Sequence, residues 1–355
     1  MYTKKGKPKK KEEKVHRTEL SELGEFGLID HLTRNIKIHN PGTIKGVGDD
    51  AAVIDLKDKV LLLSTDLLIE GVHFDLTYMP LKHLGYKAAI VNFSDIAAMN
   101  GVPKQLTVSI AVSNRFSAEA LDELYNGILL ACEKYNVDLV GGDTSSSVTG
   151  LMMSLTVTGE GYREEIVYRS GAKEGDLLCV TGDLGGAYAG LLVLEREKHV
   201  FKEDPTMQPE LTGYEYILER QLKPEARTDI YLLLKGAGIR PTAMIDISDG
   251  LASEILHICK QSHVGCRLYE EKIPIDPETR KLATEFSIAP TICALNGGED
   301  YELLFTVKQN DFEKIRLING ISIIGHMTVS SEGALFIGHD GKMTEIIAQG
   351  WDALR

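Results

Sequence analysis

The sequence predicts an α+β protein made of two halves. Three observations lead there. The chain has 355 residues, of which 43% are apolar, enough for two cores. Alternating and helix-spaced apolar runs follow one another without strict βαβ order, which argues against a doubly wound parallel sheet. A turn-rich stretch, Ser170-Gly171-Ala172-Lys173-Glu174-Gly175-Asp176, interrupts the pattern midway. The expected organisation is a disordered basic arm over residues 1–18, an N-terminal domain over 19–165 and a C-terminal domain over 166–355.

In the first half, Phe26, Ile29 and Leu32 give helical spacing to Glu22–Ile36. A glycine-rich loop runs over 46–50, then strands are expected at Ala51–Asp55 and Lys59–Ser64. Pro80 suits the first turn of a long helix reaching Asn100. A strand over Gln105–Val112 follows. Ser117 then caps a helix ending near Tyr135, with Glu119 and Glu123 at its positive end. A short strand, Asp138–Val140, ends at Gly141-Gly142-Asp143, and Leu151–Gly161 alternates as another. In the second half, strand Leu177–Val180 leads to the loop Thr181–Gly186, and helices are expected over 187–197, 209–221 and 226–236. Strand Ala243–Ile247 precedes a helix to Gln261, and further strands are expected near 265–269, 301–307, 321–328 and 334–338.

Charge and cysteine usage narrow the function class. Residues 1–17 hold eight Lys/Arg against Glu12 and Glu13, a net of +6. The whole chain carries −13, so residues 18–355 carry −19, a body that repels a nucleic-acid backbone. The arm fits contact with RNA or a membrane surface, but a solvated disordered tail is the favoured reading. No apolar run approaches the ~18 residues of a membrane span, and the Lys-rich start lacks the apolar core of a signal peptide. Cys132, Cys179, Cys259, Cys266 and Cys293 are odd in number and widely spaced, as expected of free thiols in the cytoplasm.

The chemistry concentrates in carboxylates beside Gly, Ser or Thr at the ends of apolar runs: Asp49/Asp50, Asp66, Asp95, Asp143, and Asp246/Asp249 around Ser248. Strand ends bring distant positions onto one rim, where gathered carboxylates repel unless cations lie between them. Mg²⁺ takes such oxygen ligands together with water and substrate phosphate. Each cluster alone also fits a plain turn or a helix cap; the set is far more specific than any member. Asp95 lies among Ile90, Val91, Ile96 and Ala97 and needs a partner, either a metal ion or an Arg or Lys. Neither G-x-x-x-x-G-K-[ST] nor G-x-G-x-x-G is present. Gly182-Asp183-Leu184-Gly185-Gly186 fits either an anion cradle or a tight strand-to-helix turn. His73 taken alone fits a structural role, and no nucleophile arrangement stands out.

Seven segments together resemble the thiamine-monophosphate kinase family. They are Gly46-Val47-Gly48-Asp49-Asp50-Ala51-Ala52-Val53, Ser64-Thr65-Asp66 through Glu70-Gly71-Val72-His73-Phe74, Val91-Asn92-Phe93-Ser94-Asp95, Val140-Gly141-Gly142-Asp143-Thr144, Tyr168-Arg169-Ser170-Gly171-Ala172, Asp246-Ile247-Ser248-Asp249-Gly250-Leu251 and Gly297-Gly298-Glu299-Asp300-Tyr301-Glu302. They occur in the family's order from Glu25 to Trp351; only the Lys-rich arm departs. The resemblance implies the aminoimidazole ribonucleotide synthetase-like fold and a homodimer whose N-terminal sheets join and hold ATP. It implies Asp50, Ser64, Thr65, Asp66, Asp95, Asp143, Asp246 and Asp249 as ligands of several Mg²⁺ ions. Gly142, Asp143, Arg169 and Ser248 would contact ATP, while His73, Glu299 and Trp351 would line the thiamine phosphate site. Tyr125 fits either adenine stacking or the core, and Asp49 either neighbours a ligand or shapes the turn.

The implied reaction joins ATP and thiamine monophosphate to give ADP and thiamine diphosphate by direct in-line transfer. Its nucleophile is a phosphate-monoester oxygen, anionic near neutral pH because its second pKa is about 6, so no side-chain base or nucleophile is expected. Among enzymes of the same fold, a selenophosphate synthetase uses an early cysteine, yet none precedes Cys132 here.

Overall fold

The computed structural model describes residues 42–46 and 48–349. The expected helix over Glu22–Ile36, the basic arm and Trp351 lie outside the described residues.

The first half is one six-stranded sheet: β1 (Thr43–Lys45), β2 (Ala52–Leu56), β3 (Lys59–Ile69), β4 (Val102–Val112), β5 (Asp138–Ser146) and β6 (Leu151–Tyr162). Their order is β1-β2-β3-β6-β4-β5, and only β4–β5 is parallel. In β6, Leu151, Met153, Leu155 and Val157 are buried, while Met152, Ser154, Thr156 and Thr158 between them are less so, the period-2 pattern of a sheet covered on one face. Helices α1 (Leu81–Ala98) and α2 (Ala118–Tyr135) pack on this sheet. Pro80 is the N-cap of α1, one position earlier than a first-turn proline, and Ser117 caps α2 by accepting from the Ala120 N–H at 3.3 Å.

α1 has no polar face, and 13 of its residues are buried. A helix apolar all round must be enclosed. It lies between the sheet, α2 and the first strand of the second half's motif segment, β8 (Ala243–Asp246). Two glycines let the helices meet backbone to backbone. A Cβ on Gly85 would fall 1.9 Å from the Leu124 carbonyl oxygen, and one on Gly127 would fall 1.9 Å from that of Lys82.

The second half holds a seven-stranded sheet of order β13-β12-β9-β11-β7-β10-β8, with β7 (Leu177–Thr181), β9 (Val264–Tyr269), β10 (Leu303–Val307), β11 (Ile321–Val329), β12 (Ala334–Ile337) and β13 (Met343–Glu345). Only β12–β9 is parallel. Its α-helices are α3 (Gly186–Glu203), α4 (Glu215–Leu222), α5 (Asp229–Gly236), α6 (Leu251–Ser262), α7 (Pro277–Glu285), α8 (Pro290–Asn296) and α9 (Phe312–Ile315). Two mixed sheets with helices inserted irregularly match the α+β expectation. α7 and α8 were not anticipated: each is short and announced mainly by a proline near its start. A shared cluster closes the halves, with Ala98 and Val167 packed against Met244, Leu303 and Phe305. Among the described residues no helix is long and apolar enough to cross a membrane, and all five cysteines are buried as free thiols.

Two strands run on past the ends read from the sequence. β3 continues to Ile69 and β5 to Ser146, so Asp66 and Asp143 sit inside strands and not after them. Asp66 belongs to the row Asp66–Leu155–Val108–Gly142 across β3-β6-β4-β5, whereas Asp143 pairs with Ser109 in the next row.

Candidate active site: an acid cluster where the halves meet

Four separate segments converge where α1 meets the second half. Asp50 ends the 46–50 loop, Ser64 and Asp66 come from β3, Asp95 from α1, and Asp246 ends β8. Carboxylate oxygens of Asp50, Asp95 and Asp246 all lie within 4.8 Å of one another. Each acid has an anchor. Arg169 grips Asp50 in a two-point fork, Nε to Oδ2 at 2.9 Å and Nη2 to Oδ1 at 2.8 Å. Ser64 donates to Asp95, and Ser94 donates to Asp246 at 2.6 Å. Asp49 shapes the turn: it accepts from the Arg169 N–H at 3.0 Å and stands 3.6 Å from the Lys45 ammonium.

The electrostatics follow from crowding acids with one guanidinium. Burial pushes Asp66 up to about 6. Burial, with Asp50 adding, pushes Asp246 up to about 8. Burial and the Asp66, Asp246 and Asp50 carboxylates push Asp95 well above the usual range. Burial opposes the Arg169 charge, but Asp50 foremost, then Asp246 and Asp49, hold it protonated. Buried Asp66 Oδ2 has no hydrogen-bond partner. An orphaned carboxylate oxygen beside three acids, all hard oxygen donors, fits a Mg²⁺-type cation.

The remaining sequence candidates fall in three places. Asp249 and Ser248 lie in the turn after β8; the Asp249 N–H donates to Glu254 Oε1 at 3.1 Å, and the Ser248 carbonyl accepts from the Glu299 N–H at 2.7 Å. Bonded to that turn, Glu299 pairs with Lys87 at 2.8 Å, while His73, beyond the end of β3, accepts at Nδ1 from the Ile69 N–H at 3.0 Å. Gly142 and Asp143 are exposed on β5, three strands from Asp66 and thus roughly 14 Å across the sheet. Thr65 points to the other sheet face, where its hydroxyl meets Thr156 at 2.9 Å. Tyr125 packs half-buried against the N-terminal core from α2. One chain therefore assembles Asp50, Ser64, Asp66, Asp95 and Asp246, with Asp249 and Ser248 on the adjoining turn, and leaves Thr65, Tyr125, Gly142 and Asp143 apart.

Several participants escaped the sequence reading. Ser94 and Lys87 stand seven residues apart on α1, two turns, so they share a face. That face meets the second half: Ser94 bonds Asp246 and Lys87 bonds Glu299. Two polar residues at that spacing within the apolar stretch of the helix were the readable signal. Tyr301 is buried with its hydroxyl held protonated, by burial first and then by Glu299, Asp66, Asp246 and Asp249. Glu254, buried on the first turn of α6, is pushed up by burial and Asp249. The Gly182–Gly186 alternatives resolve as a turn: the N-terminal amides of α3 are taken by Asp300, which accepts from the Gly185 N–H at 2.8 Å and the Ala187 N–H at 3.4 Å.

The two-domain mixed fold is that of the AIR synthase related proteins. Residues 48–161 match the N-terminal domain of that group and residues 173–338 its C-terminal domain. Within that group the chain belongs to the thiamine-monophosphate kinase family. It is 36% identical to the thiamine-monophosphate kinase of Bacillus subtilis over 83% of this chain and 86% of that protein. It is 33% identical to that of Escherichia coli K12 over 93% of this chain and 98% of that protein. Among solved structures, AaThiL complexed with AMPPCP and TMP superposes with a TM-score of 0.80 at 33% identity, covering 95% of this chain and 99% of that one. The thiamine monophosphate kinase from Aquifex aeolicus gives 0.73 at 32% identity, covering 92% of this chain and all of that one.

Proposed function

We propose that the protein transfers the γ-phosphoryl group of ATP to thiamine monophosphate, giving ADP and thiamine diphosphate in the last step of thiamine diphosphate formation. The observation that carries this reading is the convergence of Asp50, Asp95 and Asp246 beside the orphaned Asp66 oxygen, in a chain of this family. The AaThiL relative, bound to AMPPCP and TMP, supports ATP and thiamine monophosphate as the substrate pair. Asp50, Ser64, Asp66, Asp95, Asp246 and Asp249 would hold Mg²⁺ at the cluster, and Thr65 and Asp143, which lie apart from it in one chain, would be ligands at a separate Mg²⁺ position. Bound Mg²⁺ supplies charge neutralisation for two phosphate chains that must approach each other.

The side chains around the cluster position and shield. Ser64 and Ser94 fix the Asp95 and Asp246 carboxylates, so the acids need little rearrangement during transfer. Arg169, Ser248 and Gly142 are read as contacts of ATP, with Tyr125 a candidate for the adenine, and His73, Glu299 and Trp351 as contacts of the acceptor. The acceptor phosphate oxygen is anionic near neutral pH, its second pKa being about 6, so the transfer is read as direct and in-line, without a phosphorylated side chain. The open edge of β5, with Val140 60% exposed, supports a homodimer joined through the N-terminal sheets. Buried free thiols agree with a cytoplasmic setting. The test is ADP release with thiamine monophosphate, thiamine and aminoimidazole-type acceptors in turn. Release only with thiamine monophosphate is expected; release only with another acceptor overturns the reading.

A further inference from the structure

Lys87 is a buried lysine in the middle of α1, with 3% of its side chain exposed. Its ammonium reaches two acceptors, Glu299 Oε1 at 2.8 Å and the Gln221 carbonyl at 3.0 Å. The Gln221 side-chain amide, 4% exposed as a residue, donates to the other oxygen, Glu299 Oε2, at 2.8 Å. Glu299 itself is 30% exposed, so it is held from beneath and open above. Its backbone has a left-handed φ of 58°, fixed by the 2.7 Å bond from its N–H to the Ser248 carbonyl. A non-glycine residue in that region costs energy and persists where surrounding contacts over-determine it. Here α1 and α4 clamp the carboxylate, and the turn after β8 holds the backbone that carries it.

A carboxylate offers about four lone-pair sites, and the clamp uses one on each oxygen. Two acceptor sites therefore remain, on a side chain that is 30% exposed. Thiamine monophosphate offers two features to a carboxylate: a fixed positive charge on its thiazolium ring and an exocyclic amine on its pyrimidine. A bare carboxylate suits the first. A carboxylate already neutralised by a buried ammonium suits the second, because its charge is spent while its directional acceptor sites are not.

Resting on the thiamine monophosphate reading above, we infer that Lys87, aided by Gln221, is a positioning residue that sets Glu299 as a charge-compensated acceptor for the pyrimidine amine, and not as a counter-ion for the thiazolium. Selectivity at Glu299 is then for a donor group. The same face of α1 carries Ser94, so one helix orients both the acceptor carboxylate and Asp246 of the acid cluster.

The experiment compares three acceptors with the full-length protein: thiamine monophosphate, its analogue with the pyrimidine amine replaced by oxygen, and its analogue with an uncharged ring in place of thiazolium. The wild type is expected to favour the amine over the oxo analogue by tenfold or more in kcat/KM. Glu299→Gln should lose most of that preference and keep the preference for the charged ring. Lys87→Met, which retains a long apolar stem, should raise the acceptor KM with the ATP KM unchanged, and favour the charged ring more strongly than the wild type does. Gln221→Met repeats the KM test without touching a charge, should Lys87→Met fail to fold. The inference is overturned if Glu299→Gln instead loses the charged-ring preference, or if no variant changes acceptor discrimination. If the wild type releases ADP with none of the three, the functional reading fails and this inference falls with it.

Discussion

Replacing Arg169 by methionine isolates the electrostatics of the cluster. The guanidinium is the one cation forked onto Asp50, and without it three carboxylates stand within 4.8 Å of each other. At an effective dielectric near 20, each like-charged pair at that distance repels by about 3–4 kcal/mol. Proton uptake relieves part of this, since Asp246 is already pushed up to about 8. The cost then approaches that of breaking a buried pair, about 3–5 kcal/mol. Unfolding entropy is about 2.1 cal/mol/K per residue, so for 355 residues the metal-free melting temperature should fall by about 4–7 °C. Mg²⁺ supplies the missing positive charge, so adding it should raise the variant's melting temperature by more than it raises that of the wild type. Differential scanning fluorimetry with EDTA and with Mg²⁺ measures both. Equal melting temperatures without metal, or equal gains with it, would refute the reasoning.

Three further outcomes are expected. Asp66→Asn and Asp143→Asn should each lower kcat at least a hundredfold at limiting Mg²⁺ while circular dichroism stays unchanged, and wild-type turnover in either removes it from the ligand set. Metal-free stability should fall as pH rises from about 4 to about 8: Asp66 and Asp49 are pushed up to about 6 and Asp246 to about 8 from an ordinary 3.8, so in that window the folded state holds protons that the unfolded chain has lost. Melting curves across this range, with Mg²⁺ flattening the slope, check the sign. Gly127→Ala should destabilise by about 1–3 kcal/mol or more, because its methyl meets the Lys82 carbonyl at 1.9 Å; a urea midpoint equal to wild type would show that α1 and α2 separate freely.

The fold class was legible because most strands and long helices carry plain periodicities, as in β6 and α2. What failed to show was where polar residues interrupt an element without ending it. Ser64-Thr65-Asp66 and Gly141-Gly142-Asp143 read as strand ends, yet backbone pairing continues through both. Strand pairing is set by main-chain hydrogen bonds, which a polar side chain does not remove, and Asp66 keeps its place because it faces other buried groups of the cluster. Asp50, Asp95 and Asp246 were singled out as carboxylates at the ends of apolar runs, and the structure brings their oxygens together; their partners Ser94 and Arg169 follow from three-dimensional approach. Asp95 has both answers the sequence left open nearby, acids that suit a cation and an arginine forked onto the neighbouring Asp50. Lys87 was invisible for a related reason: like Lys82 in the same helix, it reads as a surface residue until most of the helix proves to be buried.

The most direct measurement follows the phosphoryl group itself. The protein, Mg²⁺, thiamine monophosphate and ATP labelled in its γ-phosphoryl group are mixed, and the label is traced by chromatography and by intact-protein mass spectrometry. Label is expected in the terminal phosphoryl group of thiamine diphosphate, one for each ADP released, with none retained on the protein. Label appearing as free orthophosphate, in a different acceptor or on a side chain would contradict it.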